Sequence, residues 1–132
     1  MIVTPLYAGL LALWFLVLSL RVVGARRSQQ ISLSDGGDPR MLRLIRAHAN
    51  FAEYVPLTLV LLGVLELSHF SRYLLHLVGA LLLVGRLLHS YAIGFTERFM
   101  MGRIIGMLLT FAAILVAALA CLYQAVLGLG TT

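Results

Sequence analysis

Four apolar stretches, each long enough to cross a hydrocarbon core, take up most of this chain. At a rise of about 1.5 Å per residue, roughly 20 apolar residues in a helix span the ~30 Å core of a bilayer. Inside that core backbone groups have no water to bond, so such runs fold as helices packed on helices. They read as helices over about residues 5–27, 40–68, 72–93 and 103–127 of one all-α integral membrane domain, 1–132. Composition agrees, with 61% of residues hydrophobic and a mean hydropathy of +1.01, against about 45–50% apolar residues in ordinary globular domains.

All ten basic residues are arginine, and they gather at helix ends. Arg21, Arg26, Arg27, Arg40, Arg43, Arg98 and Arg103 fall on the side of the first and third connections, and Arg72 on the other. This asymmetry predicts both termini outside the cytoplasm. It also accounts for the high isoelectric point without nucleic acid, since no aromatic-interleaved basic face is present. The first apolar run lacks a basic leader and a small-residue cleavage site, so it reads as a retained anchor. The lone Cys121 lies in an apolar run and reads as packing, and no spacing fits a metal site.

Within the second run, Arg43, Arg46, Asn50 and Glu53 fall inside an arc of roughly 80° at about 100° per residue. Such a stripe cannot face lipid. It is either a ligand site looking into the bundle or a polar network joining helices. His48 points away from it and reads as an interhelix hydrogen bond. Asp38 followed by Pro39 reads as a helix cap, Pro56 as a kink or a locally freed carbonyl. Gly79, Ala80 and Gly85 read as small residues permitting close helix approach, Arg86 as a partner for Glu66 or for a carbonyl, and His69 and His76 as interfacial.

Three motifs in order carry a family resemblance: Val22-x-x-Ala25-Arg26-Arg27, then Arg46-Ala47-His48-x-Asn50-x-x-Glu53-Tyr54-x-Pro56, then Gly85-Arg86-x-x-His89. The chain resembles the membrane-associated proteins in eicosanoid and glutathione metabolism (MAPEG), most nearly their small bacterial inner-membrane branch. The resemblance implies a homotrimer of four-helix subunits that binds glutathione between neighbours. By position, Arg46, Asn50, Glu53 and Tyr54 from the second helix, Arg26 from the first and His89 from the third would hold the tripeptide. The chemistry suits glutathione, whose two carboxylates call for cations and whose ammonium calls for an anion.

The resemblance further implies thiolate activation by an arginine opening the fourth helix. Arg103 stands there, with Arg98 as the nearby alternative. The activity implied is that of a microsomal-type glutathione transferase or peroxidase, with glutathione as co-substrate and lipophilic electrophiles as the other. Alanine at 49 replaces an arginine of the prostaglandin E synthase branch, isoleucine at 93 stands where a tyrosine of the family often helps hold glutathione, and isoleucine at 104 and methionine at 107 replace polar groups, so eicosanoid synthesis is not expected. Two other classes stand beside the transferase: a non-catalytic lipid- or ligand-binding membrane scaffold, and a small transporter subunit, which would need a water path along the stripe.

Overall fold

The computed structural model describes residues 1–129. Four helices follow one another, α1 (Val3–Gln29), α2 (Pro39–Leu67), α3 (Arg72–Gly94) and α4 (Met100–Leu129). Each is long and apolar enough to cross a membrane, so their outward side chains meet lipid. Short connections at 30–38, 68–71 and 95–99 make successive helices antiparallel. Helices α2 and α3 form the middle of the bundle, while α1 and α4 flank them without touching.

Helix ends depart from the sequence expectation for local reasons. Helix α1 begins at Val3, earlier than residue 5, because Glu66 at the far end of α2 receives its first backbone N–H groups. Those of Ile2, Val3 (2.8 Å) and Thr4 (2.7 Å) all donate to that one carboxylate. Pro5 costs nothing there, since a first-turn N–H lacks an intrahelical partner anyway. Helix α1 ends at Gln29, beyond residue 27, with Gln30 in the left-handed region at φ 55°. At α2 the Asp38 carboxylate accepts the Arg40 N–H at 2.9 Å with Pro39 at the first helical position. That helix runs unbroken through Pro56. Helix α4 starts at Met100 and takes Gly102 into its first turn, where a β-carbon would lie 2.4 Å from the Phe99 ring.

Glycine sets the approach of α3 to α4. A β-carbon on Gly106 would lie 2.6 Å from the His89 backbone nitrogen and 2.7 Å from the Gly85 carbonyl oxygen. Ala113, Ala117 and Ala120 continue the buried small-residue face of α4, which lets backbones come close where lipid gives no hydrophobic drive. Gly79 receives the Tyr7 ring of α1, 2.2 Å from where a β-carbon would be. Ala80, expected at a helix contact, is instead exposed.

Polar and aromatic contacts fasten α1 to the middle pair. The Trp14 indole N–H donates to the Ser90 hydroxyl at 2.7 Å, and Phe15 stacks on His48 and Phe51 at 4.6 and 5.7 Å. His48 Nε2 lies 3.1 Å from the Ser19 hydroxyl, the interhelix bond expected of it. Arg21 donates to the Gly94 carbonyl at 2.8 Å, with its guanidinium 3.6 Å from the Phe95 ring centroid. These contacts hold the end of α3 and the 95–99 connection in place beside the arginine-rich end of the bundle.

Candidate functional site

At that end, α2, α3 and α4 enclose a hollow of about 320 Å³ lined by Leu42, Arg43, Arg46, Asn50, His89, Ile93, Arg103 and Met107. Arg43, Arg46 and Asn50 come from successive turns of α2, so the first three members of the stripe do face one space. His89 reaches it from α3. Arg103 reaches it from the first turn of α4, brought near by the Gly85–Gly106 contact one turn further on.

Hydrogen bonds fix how these groups present themselves. A carbonyl only accepts, so the 2.9 Å contact of His89 Nδ1 with the Arg103 carbonyl is an Nδ1–H donation. The neutral ring therefore keeps Nε2 as an acceptor. Arg86, one turn before His89, donates from Nη1 to Asn50 Oδ1 at 2.9 Å and to the Asn50 main-chain oxygen at 3.3 Å. Arginine only donates, so Asn50 must give it the oxygen and keep its NH₂ for the hollow. Three guanidinium-bearing side chains and no carboxylate line the space, which makes it a receptacle for anions.

The structure separates the sequence-predicted residues into two groups. Arg46, Asn50, His89 and Arg103 share the hollow. Arg26, Glu53 and Tyr54 do not line it in this single chain. Arg26 donates to the Ser34 carbonyl at 2.9 Å and braces the 30–38 connection. Glu53 is exposed on the outer side of α2 and makes no ion pair among the described residues. Tyr54 is half-buried, its ring 5.3 Å from the Arg86 guanidinium and 5.9 Å from the Phe111 ring.

Other lining residues were not in the sequence-derived set. Arg43 belonged to the stripe by spacing, but nothing marked it as facing the same space as Arg103. Arg86 donates to a carbonyl, one of its two expected partners, in the main-chain oxygen of Asn50, and also to the Asn50 side chain; Glu66, the other expected partner, is engaged with the start of α1. Met107 accepts from Arg86 Nη2 at 3.3 Å and forms the floor on the α4 side.

A second hollow, of about 330 Å³, adjoins the first and is lined by His89, Met100, Arg103, Ile104, Met107 and Leu108. His89, Arg103 and Met107 are common to both. Ile104 and Leu108 are exposed on the outside of α4, so this second space opens on the apolar outer face of the bundle. A further groove of about 180 Å³ between α1 and α2, lined by residues such as Ala8, Ala12, Phe51 and Pro56, is wholly apolar in its side chains.

Comparison with known proteins agrees with this architecture. The chain is 37% identical over 121 residues to the inner membrane protein YecN of Escherichia coli K12, covering 92% of this chain and 91% of that protein. The same identity and coverage hold for inner membrane protein YecN of Escherichia coli O6:H1. A family model matches residues 4–123, nearly the whole of the four-helix bundle; the chain belongs to the MAPEG family.

Proposed function

We propose that this protein binds reduced glutathione in the arginine-lined hollow and transfers its thiol to lipophilic electrophiles at a bacterial inner membrane. The observation that carries this reading is the position of Arg103. It stands in the wall between a polar, cation-lined space and a more apolar space that opens on the outer face of α4. A hydrophilic thiol and a lipophilic partner would meet at that residue. The guanidinium there would favour the thiolate over the thiol, since a nearby positive charge stabilises the anion. The thiolate sulfur would attack the electrophilic carbon, forming a C–S bond while a leaving group such as halide departs with its electron pair; the thiol proton goes to water.

Arg46, with Arg26 from a neighbouring subunit, would take the two carboxylates of the tripeptide and the Asn50 amide a peptide carbonyl, which leaves Arg103 to the thiol. The ammonium needs an anion, which the hollow lacks within one chain. Glu53 supports a site shared between subunits, because an exposed carboxylate midway along a membrane-spanning helix is costly in lipid and needs cover. A homotrimer in which Glu53, Tyr54 and Arg26 complete a neighbour's site meets that need. The arginine-rich end would then face the cytoplasm, with both termini outside it.

Calorimetric titration of the detergent-solubilised protein with reduced glutathione, followed by turnover of a generic aryl halide, tests the reading. Saturable binding with turnover is the expected result. Binding without turnover would favour a ligand-binding scaffold, the reading to which the wholly apolar α1–α2 groove lends support. An absence of binding would end both forms of the glutathione assignment.

A further inference from the structure

We propose that Arg43 is a ligand-binding cation held in reserve, with Glu97 standing in for a ligand carboxylate until the ligand displaces it. The proposal rests on the reading of the hollow as a glutathione site.

Arg43 lines the hollow, yet its Nη2 donates to Glu97 Oε1 at 2.8 Å, the one ion pair among the described residues. Arg46 and Arg103 on the same hollow have no such partner there. Three like charges around one small space repel each other, and a single internal carboxylate at the rim relieves part of that repulsion while the hollow is empty. A bound peptide carboxylate does the same work from inside. Exchanging one carboxylate for another on the same guanidinium leaves the charge balance unchanged, so the exchange costs little.

The placement of Glu97 suits such an exchange. The 95–99 connection is fixed at its root, where Phe95 stacks on Trp14 at 5.7 Å and on Tyr91 at 5.1 Å and the Thr96 hydroxyl donates to the Ala92 carbonyl at 2.8 Å. Beyond that root Glu97 is 75% exposed, whereas Arg43 is 36% exposed. The anion stands in solvent and the cation at the mouth of the hollow. An exposed pair of this kind is weak and readily parted.

The test is Glu97→Gln in the full-length, detergent-solubilised protein, titrated calorimetrically with reduced glutathione beside wild type, Arg43→Gln and the double variant. Removing the competing carboxylate is expected to tighten binding about two- to five-fold, the range an exposed ion pair corresponds to. The gain should disappear in the double variant. A merely structural pair would give the opposite sign, a loss of affinity on cutting it. If wild type binds glutathione and Glu97→Gln binds it no tighter, the reserve role is overturned while the site assignment stands. A gain that persists without Arg43 also overturns it, as a general field effect. If neither wild type nor Glu97→Gln binds, the site reading and the reserve role fall together.

Discussion

Arg86, in the middle of α3, donates to both the side-chain and the main-chain oxygen of Asn50 on α2, at 2.9 and 3.3 Å. Arg86 as a whole is only 1% exposed, and no carboxylate lies within ion-pair distance among the described residues. A buried cation is thus held by amide, carbonyl, thioether and ring, and the turn of α2 that lines the hollow depends on it. Losing the partner of a buried charge is costlier than losing the charge. Asn50→Leu should therefore destabilise by about 2–3 kcal/mol, read as unfolding in detergent, and Arg86→Met by less. Asn50→Asp should keep the fold, since it pairs with Arg86, but lose glutathione binding with the amide donor. Equal losses for Asn50→Leu and Arg86→Met would show that the guanidinium finds another partner.

The glycine contact between α3 and α4 sets the distance from His89 to Arg103. A methyl group on Gly106 would press against backbone on two sides, 2.6 Å from the His89 nitrogen and 2.7 Å from the Gly85 oxygen. Backbone cannot swing aside as a side chain can, so the helices must separate. Gly106→Ala is expected to cost about 1–3 kcal/mol and to weaken ligand binding as Arg103 moves. Gly9→Ala, where nothing lies within 4 Å, serves as the control and should be neutral or slightly stabilising. Wild-type affinity in Gly106→Ala would refute the positioning role.

Glu66 caps a helix other than its own. Its carboxylate satisfies the first N–H groups of α1 from the end of α2. Glu66→Ala should cost about 1 kcal/mol, the usual worth of an N-cap, and the cost should be local. Amide exchange at Ile2, Val3 and Thr4 should quicken while exchange in the 85–110 region stays slow. Uniform quickening throughout the bundle would mean that the contact is global.

How much of this was legible in the sequence depended on whether a signal was local. Four spans, the basic end, the Asp38 cap and the His48 bond follow from composition and from neighbours on one helix. The Arg43–Arg46–Asn50 face followed from helical spacing alone. Which residue of α2 would receive Arg86, and what Glu66 would bind, did not, because each partner lies on another helix and its register is set by packing. Periodicity could not supply that register. Leucine lies both inside and outside this bundle, buried at Leu82 yet exposed at Leu77 and Leu108. Lipid accepts an apolar surface, so the alternation that marks an inward face in water is erased here. Ala80 lies outside the helix contact for the same reason, and Gly106 sits between Ile105 and Met107 with no motif to mark it.

The Asp38 cap gives the start of α2 a defined pH response. The Arg40 backbone N–H, and after it the Gln29 side chain, hold the Asp38 carboxyl below the ordinary aspartate value of 3.8. A carboxyl depressed in the folded state adds stability that is fully present above its unfolded value and is lost as pH falls through the folded one. The first turn of α2 should therefore stay intact down to about pH 4 and fray below it. The Arg40 amide resonance in a pH titration reports this. Asp38→Asn, which keeps a capping oxygen without a titrating proton, should flatten the curve. An unchanged titration in that variant would assign the response to another group.

The two arginines near the start of α4 make different predictions for the bound thiol. Arg103 lies in the wall shared by the polar and apolar spaces, whereas Arg98 is an exposed residue of the 95–99 connection and lines neither. A cation stabilises a thiolate over a few ångströms and is screened beyond that by water. Arg103→Gln should therefore reduce the ultraviolet absorbance of bound thiolate by up to about ten-fold, the full factor at pH values below the thiol pKa, which corresponds to a rise of one unit in that pKa. Arg98→Gln should leave it within about two-fold, as expected for a screened surface charge. Glutathione affinity needs to be measured alongside, so that the signal is compared at equal occupancy. Loss of thiolate in Arg98→Gln with retention in Arg103→Gln would move the activating role to the connection, and the shared wall would then be only a boundary.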